Sequence, residues 1–416
     1  MDNIDARKKN IVILGAGFGG ITAALALAKK QCAISREYNI ILVDRHRHQL
    51  YTPALYEIAS IPRENAADAS LKSAILIPIA DITAKKPIQH LCDDVIGLDR
   101  NGKKIILKNA ELPYEFLVSA LGSETNYFNI PGLKEESFPL KTFDDAVRLR
   151  NKIEDWVREK DAVKIVVGGA GASGVELVAE FVNFVCDIQK KIDLNSHCKI
   201  ELLLIESSPD ILPGFDEWAV SKTKKRLAKL GVRIKTNATI VSVRNQELDF
   251  ADGNKESFDI LIWAGGVQGP AALERFELTR SKKGALVIDE YLRAGNPEER
   301  IFAIGDNSSL INPKTGKPLM WNVPVAEAEG RLVAKNIIRE IRGKPLKKFI
   351  PLKKYPFILA VGKKYAIADF VIIRIAGRLG WCLKQLVELR YFLFILPLFQ
   401  AIKTWLVCVR LYASND

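Results

Sequence analysis

The chain has 416 residues, enough for two or three domains with substantial cores. Apolar residues make up 48% and charged residues 26%, a balance that excludes an intrinsically disordered protein. The formal net charge is +12, but residues 331–416 hold 17 Lys plus Arg against 4 Asp plus Glu, a balance of +13 that leaves −1 for residues 1–330. Because these basic residues alternate with long apolar runs, the tail favours an anionic membrane surface over nucleic acid as its partner.

Six cysteines stand far apart in the sequence, and no Cys-x-x-Cys pair occurs, which argues against a dithiol redox centre and a zinc ribbon. They are Cys32, Cys92, Cys186, Cys198, Cys382 and Cys408. We therefore expect reduced thiols in a reducing compartment. The four histidines form no metal-ligand pattern, so no metal site is expected. The first ten residues have charges but no apolar stretch, so no secretory signal is predicted.

The first motif follows a short apolar strand at residues 11–14. Gly15-x-Gly17-x-x-Gly20 comes next and opens an Ala/Leu-rich helix, and a second apolar strand ends at Asp44. The first glycine permits a tight turn, the second lets the backbone approach a pyrophosphate, and the third lets the helix pack on the strand. A carboxylate at the end of the second strand can accept ribose hydroxyls. This order of elements predicts a dinucleotide-binding domain.

The same arrangement recurs in the middle of the chain. Gly169-x-Gly171-x-x-Gly174 follows the strand at residues 164–167, and a later apolar strand ends at Glu206. Glu206 lies 37 residues after Gly169, which predicts a lengthened helix and loop between them. The recurrence indicates an internal duplication of an α/β nucleotide-binding unit.

Each module also closes in the same way. Alternating strands with an Asn-Gly or Asp-Gly turn lead to an apolar strand that ends at Gly122 in the first module and at Gly265-Gly266 in the second. Glycines there allow the backbone to lie close to a cofactor. The stretch with Gly305-Asp306 belongs to neither repeat and predicts the return of the chain to the first module.

Together these residues resemble the pyridine-nucleotide-dependent flavoprotein superfamily, with paired Rossmann-like domains similar to those of glutathione reductase. The resemblance implies an α/β fold in which the second dinucleotide-binding domain is inserted in the first. It implies FAD ligands at Gly15, Gly17, Gly20, Asp44, Pro53, Gly122, Gly305 and Asp306, and NADH ligands at Gly169, Gly171, Gly174, Glu206, Gly265 and Gly266. Glu206 has no arginine beside it and favours NADH over NADPH, because a carboxylate repels a 2′-phosphate.

Within the superfamily the chain resembles the type II NADH:quinone oxidoreductases. Pro53, Leu55 and Tyr56 match that family's stretch near the flavin, and "GASGVELVAE" and "LAVGKKYAIADF" match two further segments. The resemblance implies an enzyme that passes two electrons from NADH through FAD to a membrane quinone without proton pumping. By family position it makes Glu176 and Lys363 the candidate catalytic residues.

One departure concerns the acceptor. The family's quinone motif is Ala-Gln-x-Ala-x-Gln-Gln-Gly, whereas residues 323–330 read "VPVAEAEG", so that only Ala326 and Gly330 match. Pro324, Ala328 and Glu329 stand in place of the glutamines. The stretch itself predicts a helix start, with Asn322 as its cap.

The resemblance divides the chain into an FAD domain at 1–140 and 285–350, an NADH domain at 141–284 and a C-terminal membrane-associating region at 351–416. In the tail we expect two amphipathic helices, at roughly 381–395 and 397–412, with Lys384, Gln385 and Glu388 on one face of the first. The longest uncharged run is 12 residues, against about 20 needed to span a bilayer. We therefore expect a peripheral protein on the cytoplasmic face of a membrane, and the sequence is also compatible with a homodimer.

Two other functions stay open at this point. A soluble NAD(P)H-dependent flavoprotein reductase would donate to a protein acceptor such as a ferredoxin. A flavin-binding sensor without enzymatic activity would use the basic tail on nucleic acid. Sulfide:quinone oxidoreductases need reactive cysteines near the flavin, and Cys186 and Cys198 lie in the wrong region for that role.

Overall fold

The computed structural model describes residues 5–30, 36–160, 162–192 and 198–413. The expectations for Cys32, and for residues 193–197 in the loop before Glu206, lie outside these ranges.

Most strands are short. They are β1 (Lys9–Leu14), β2 (Tyr38–Asp44), β3 (His48–Leu50), β4 (Leu76–Pro78), β5 (Gln89–Cys92), β6 (Val95–Asp99), β7 (Lys104–Leu107), β8 (Glu111–Pro113), β9 (Phe116–Ser119), β10 (Glu124–Thr125), β11 (Ser137–Pro139), β12 (Val163–Gly168), β13 (Ile200–Ile205), β14 (Arg233–Lys235), β15 (Ile240–Arg244), β16 (Glu247–Phe250), β17 (Lys255–Ser257), β18 (Ile260–Trp263), β19 (Val267–Gln268), β20 (Leu286–Val287), β21 (Ile301–Ala303), β22 (Ser308–Ser309), β23 (Phe357–Ala360), β24 (Ala366–Asp369) and β25 (Arg374–Gly377).

The α-helices vary more in length. They are α1 (Phe18–Ala28), α2 (Leu55–Ile58), α3 (Asp68–Ile75), α4 (Ile79–Thr83), α5 (Leu133–Glu136), α6 (Phe143–Glu159), α7 (Ala172–Ile192), α8 (Glu217–Lys229), α9 (Val323–Ile341), α10 (Arg378–Ile395) and α11 (Leu398–Ala413).

The chain forms two compact units, and the first comprises Met1–Gln49, Ile77–Glu124 and Val267–Tyr355. Its main sheet has the order β21-β9-β1-β2-β5, with parallel pairing throughout. Residues 11–14 of β1 are fully buried, as an apolar run in a central parallel strand predicts. Because β21 pairs with β9, the predicted return of the chain to the first module is confirmed.

Two helices of the first unit, α1 and α9, pack closely against each other. A Cβ at Gly330 would lie 2.5 Å from the carbonyl oxygen of Gly19, so only glycine fits at this crossing. The predicted helix start is also confirmed, since the side chain of Asn322 accepts a hydrogen bond from the Val325 N–H at 3.0 Å.

The second unit comprises Leu50–Leu76, Thr125–Gly266 and Pro356–Asp416. Its main sheet has the order β11-β18-β12-β13-β14, again parallel throughout. The strand that precedes the glycine motif is the third, central strand of its five-stranded sheet in both units, β1 in the first and β12 in the second. The duplication inferred from the sequence is therefore repeated in the topology.

Each module also contains a small antiparallel sheet, β6-β7-β8 in the first and β15-β16-β17 in the second. In both, the register shifts near the start of the first strand. These sheets are the alternating strands that the sequence predicted after each glycine motif. A third antiparallel sheet, β23-β24-β25, precedes the C-terminal helices.

The expectation of reduced cysteines is wrong at one pair. Cys186 of α7 forms a disulfide with Cys198, with 4.9 Å between their Cα atoms. A separation of 12 residues gave no sequence signal for this pair, because only the folded path of the chain brings the two thiols together. Cys92, Cys382 and Cys408 are free thiols.

The two predicted C-terminal helices are present as α10 and α11. Along α10 the polar side chains of Gln385 and Glu388 are buried, while Leu379, Leu386 and Leu393 are exposed. The sequence predicted which residues share a face but not which face points inward. In the described ranges, every helix falls short of the length and apolar character required to cross a bilayer.

Candidate functional site

The first glycine motif joins β1 to α1 in the first unit. Gly15 has a φ of +99°, a conformation that side chains rarely adopt. A Cβ at Gly20 would lie 1.9 Å from the carbonyl oxygen of Gly15, whereas a Cβ at Gly17 would meet no atom within 4 Å. The outer glycines are therefore needed for the fold, and the middle one leaves open space beside the N-terminus of α1. That space suits a pyrophosphate group.

The second glycine motif repeats this geometry between β12 and α7. Gly169 also has a φ of +99°, and a Cβ at Gly174 would lie 1.9 Å from the carbonyl oxygen of Gly169. Gly171 is open in the same way as Gly17. A Cβ on Gly169 would lie 2.3 Å from the Cα of Gly265, and a Cβ on Gly265 would lie 2.4 Å from the ring of Trp263, so both positions require glycine. Both motifs therefore satisfy the steric requirement for a bound dinucleotide.

The predicted acids hold the two glycine loops in place. Asp44 accepts a hydrogen bond from the Ala16 N–H at 2.7 Å, and Glu206 accepts one from the Ala170 N–H at 2.9 Å. Burial opposes ionisation of Asp44, but hydrogen bonds from His46 and the Ala16 N–H outweigh it and lower the pKa of Asp44. Both carboxylates thus lie beside the loop, where the sequence placed the ribose acceptors.

Glu206 makes two further contacts at the end of β13. Its Oε1 accepts hydrogen bonds from the Ser208 N–H at 2.9 Å and from the Ser207 hydroxyl at 3.2 Å. These donors fix the orientation of the Glu206 carboxylate beside the second glycine loop.

A second cluster in the first unit surrounds Gly305-Asp306. Gly305 has a φ of +71° and donates its N–H to Glu329 Oε2 at 2.6 Å. The Ser123 hydroxyl donates to Asp306 Oδ2 at 2.9 Å, next to Gly122, where a Cβ would meet open space. The Gly122 and Gly305-Asp306 positions of the predicted FAD site therefore lie together.

Glu329 is the residue of this cluster whose protonation is unusual. Its side chain is buried in α9, and burial together with the nearby charge of Asp306 raises its pKa to about 8. The Gly305 N–H opposes that rise, but less strongly. Glu329 is therefore a neutral acid at pH 7, in the position where the quinone motif has a neutral glutamine.

Glu176 is the fifth residue of α7, in the second unit. Its carboxylate accepts a hydrogen bond from the Ala360 N–H at 3.4 Å. Burial is the main reason that its pKa rises to about 8; the charge of Glu57 adds to the rise and that of Lys384 opposes it. At pH 7 Glu176 thus holds a proton that it can donate.

The other predicted site residues of the second unit lie at its surface or in turns. Lys363 is exposed in the turn between β23 and β24, with a φ of +54°. Pro53 lies in the 3-10 turn Thr52–Ala54 immediately before α2.

Lys384 was not singled out from the sequence as a site residue, yet it stands at the centre of a charge cluster. Its Nζ lies 2.6 Å from Oε1 of buried Glu57 and above the rings of Tyr56 and Tyr412, at 5.1 and 5.2 Å from their centroids. Burial opposes its charge, but Glu57 and Glu388 outweigh this effect and raise the pKa of Lys384. The available signal was a lysine four residues before a glutamate in a helix that is mainly apolar.

Glu388 completes the charge cluster, which we define as Glu57, Glu176, Lys384 and Glu388. Tyr412 donates its hydroxyl to Glu388 Oε1 at 3.5 Å. Burial raises the pKa of Glu388 to about 7, against the opposing charge of Lys384. One paired lysine therefore lies among three carboxyl groups, two of which bind protons near neutral pH.

Comparison with known proteins agrees with this geometry. A family model described as pyridine nucleotide-disulphide oxidoreductase matches residues 9–330. A Staphylococcus aureus (strain MSSA476) protein named type II NADH:quinone oxidoreductase is 28% identical over 395 residues, which cover 92% of this chain and 95% of that protein.

Two solved structures show the same fold over nearly the whole chain. NDH2 from Plasmodium falciparum in complex with NADH matches with a TM-score of 0.82 and 20% identity, covering 97% of this chain and 98% of its own. The sulfide:quinone oxidoreductase from Aquifex aeolicus matches with a TM-score of 0.76 and 18% identity, covering 97% and 92%. The predicted fold of two dinucleotide-binding domains is thereby confirmed. Since the family model spans more than three quarters of the sequence, the chain belongs to the pyridine nucleotide-disulphide oxidoreductase family.

Proposed function

We propose that this chain is an FAD-dependent NADH:quinone oxidoreductase of type II. The observation that carries the proposal is the pair of matching glycine motifs, each with an open middle glycine, at Gly17 and Gly171. Two dinucleotide sites in one chain are what a flavoprotein needs to take a hydride from NADH. The curated relative named type II NADH:quinone oxidoreductase supports a quinone as the acceptor.

We infer the cofactor ligands from the resemblance together with the two glycine motifs. FAD, when bound, supplies the hydride acceptor and the two-electron donor. We assign it to Gly15, Gly17, Gly20, Asp44, Pro53, Gly122, Gly305 and Asp306, and NADH to Gly169, Gly171, Gly174, Glu206, Gly265 and Gly266. The FAD domain would then comprise residues 1–140 and 285–350, and the NADH domain residues 141–284.

We propose Glu176 as the acid that gives a proton to the reduced quinone. Its pKa of about 8 keeps it protonated at pH 7, and a general acid is most effective when its pKa lies near the working pH. Lys384, as a fixed positive charge, would stabilise the carboxylate that remains after proton transfer. Lys363 stays a proposed catalytic residue on the resemblance alone.

The acceptor side differs from the family's quinone motif at all three glutamine positions and at the first alanine, where Val323 stands. Pro324, Ala328 and Glu329 replace the glutamines, while Gly330 is retained for the packing of α9 on α1. Because Glu329 is neutral at pH 7, it can offer a protonated carboxyl where the motif has a glutamine. We therefore keep a quinone as acceptor despite the altered motif.

We propose residues 351–416 as the membrane-contacting region, on the cytoplasmic face and without a spanning helix. The exposed apolar side chains of α10 and α11, with Phe399 86% exposed, support this placement. The excess of basic residues in residues 331–416 supports attraction to anionic lipid, at about 1 kcal/mol for each residue near the surface. The oligomeric state, monomer or homodimer, is to be measured. Nucleic acid is not proposed as a partner.

The test is steady-state oxidation of NADH by the FAD-loaded protein with a water-soluble quinone, with ferricyanide and with a ferredoxin. The proposal predicts turnover with the quinone and with ferricyanide, and a strong preference for NADH over NADPH. Turnover with the ferredoxin but not with the quinone would instead identify a soluble reductase. Glu176→Gln should lower kcat with the quinone and leave the rate with ferricyanide, which takes up no proton, close to that of the wild type.

A further inference from the structure

The turn between β24 and β25 in the second unit is made entirely of exposed apolar residues. We call residues 370–373, Phe370-Val371-Ile372-Ile373, the tip segment. Ile372 is 93% exposed and Ile373 59%, and the side chains of Phe370 and Val371 are also exposed. Four consecutive exposed apolar residues at a hairpin turn are unfavourable in water, where Gly, Asn and Asp dominate such positions.

The tip segment is held in a defined conformation. Asp369, fully buried at the end of β24, accepts a hydrogen bond from the Val371 N–H at 2.7 Å. The Phe370 N–H donates to the Ile373 carbonyl oxygen at 2.9 Å and closes the turn. These two N–H groups are paired inside the hairpin, so they would not lose hydrogen bonds to water if the turn entered an apolar environment.

Val371 adopts the conformation that is hardest for a β-branched residue. Its φ is +74°, in the left-handed region where glycine or asparagine would be unstrained. A valine at this position destabilises the backbone but adds one more apolar side chain to the tip segment. Strain of this kind is found mainly at functional positions.

Arg374, the charged residue that follows the tip segment, is paired with two carboxylates. Arg374 donates from Nε to Asp369 at 3.0 Å and from Nη2 to Asp216 at 2.8 Å, and its guanidinium lies 5.4 Å from the ring centroid of Trp218. Glu217, the first residue of α8, is the exposed charge that follows Asp216 in the chain. Because Arg374 is already paired, contact of the tip segment with an apolar phase would not leave its charge without a partner.

We propose that the tip segment is a lipid-inserting element, which enters the interfacial region of a bilayer independently of α10 and α11. The inference rests on the proposed function, because a lipid-soluble acceptor requires the protein to approach a membrane. Four side chains at one turn cover far less than the roughly 800 Å² per partner that a stable protein interface buries, which disfavours a second copy as the occupant. The excess positive charge of residues 331–416 instead complements an anionic lipid surface.

The variant Ile372→Ser/Ile373→Ser tests the proposal, with Ile311→Ser as the matched control, since Ile311 is an exposed isoleucine of the first unit. Binding of the FAD-loaded proteins is measured by co-sedimentation with vesicles of phosphatidylcholine and phosphatidylglycerol. We expect the double variant to bind at least about tenfold more weakly than wild type, the loss expected for removing buried aliphatic side chains. The control should bind like wild type. NADH oxidation with a water-soluble quinone should be the same in all three proteins.

Three results would overturn the proposal, and each leaves the redox function as a separate question. The double variant could bind vesicles as tightly as wild type, which would assign membrane contact to the helices alone. Wild type could oxidise NADH with the soluble quinone yet ignore both these vesicles and pure phosphatidylcholine vesicles. Sedimentation velocity without lipid could show a wild-type dimer that becomes monomeric in the double variant, which would identify a second copy as the occupant. If wild type itself did not oxidise NADH with the soluble quinone, that result would contradict the proposed function instead.

Discussion

Glu329 gives the most quantitative prediction, because its protonation is coupled to folding. The folded protein raises the pKa of this carboxyl from 4.5 to about 8, through burial and the charge of Asp306. Below pH 4.5 both the folded and the unfolded chain hold the proton. Between pH 4.5 and 8 only the folded chain holds it, so the free energy of unfolding falls as the pH rises through this window. The stabilisation is thus present at low pH and lost at high pH.

The magnitude follows from the shift. One pKa unit corresponds to 1.36 kcal/mol, so a rise from 4.5 to about 8 sets an upper limit of roughly 5 kcal/mol on the stability lost between pH 4.5 and 8. Glu329→Gln removes the titration but keeps an oxygen that accepts the Gly305 N–H. We therefore expect this variant to melt at a higher temperature than wild type at pH 9, by roughly 5 °C or more, and within a degree or two of it at pH 5.

The assay is thermal unfolding of FAD-loaded wild type, Glu329→Gln and Glu298→Gln from pH 5 to pH 9. Glu298 is an exposed glutamate of the same unit, so its variant should follow the wild-type curve at every pH. Parallel curves for wild type and Glu329→Gln across this range would show that Glu329 is already ionised at neutral pH. That result would refute both the pH dependence and the neutral acid proposed for the quinone motif.

The remaining predictions concern the glycine loops, the charge cluster and the nucleotide preference. Gly20→Ala should lower the melting temperature even without FAD, because its Cβ would lie 1.9 Å from the carbonyl oxygen of Gly15. Gly17→Ala should melt like wild type, because its Cβ meets no atom within 4 Å, and should lose only FAD affinity, measured by flavin retention. Lys384→Met should destabilise the protein by about 3–5 kcal/mol in denaturant titrations, because Glu57 is left buried without its partner, and adding Glu57→Gln should recover most of the loss. Glu206→Gln keeps the acceptor for the Ala170 N–H but removes the charge, so the ratio of kcat/KM for NADPH over NADH should rise at least about tenfold; an unchanged ratio would mean that Glu206 does not face the ribose.

Much of the fold could be predicted from the sequence because the glycine motifs specify it locally. Gly15 and Gly169 need a positive φ, and Gly20 and Gly174 need the absence of a Cβ, so the spacing of glycines encodes the strand–turn–helix unit twice. Asp44 and Glu206 lie beside these loops for the same reason: Asp44 ends the strand next to the first motif strand, and Glu206 follows the strand next to the second. Their role as ribose ligands stays a prediction.

The charge cluster could not be predicted, because its members come from distant parts of the chain. Glu57 and Lys384 are 327 residues apart in sequence, and no local pattern pairs them. Helical periodicity also predicted that Lys384, Gln385 and Glu388 share one face of α10, but not whether that face points to solvent or to the core. In the structure α10 packs on β24, and this polar face is turned inward. Whether Glu176 would be a surface glutamate or a shielded acid depended on the same tertiary packing.

We propose that electrons pass from NADH through FAD to a quinone within this one chain. The most direct measurement is anaerobic mixing of the FAD-loaded protein first with one equivalent of NADH and then with a ubiquinone or menaquinone analogue, while the flavin absorbance is followed. We expect NADH to bleach the flavin and one equivalent of quinone to restore its absorbance. A flavin that NADH bleaches but no quinone restores would contradict the assignment of the acceptor, and a flavin that NADH does not bleach would contradict the account as a whole.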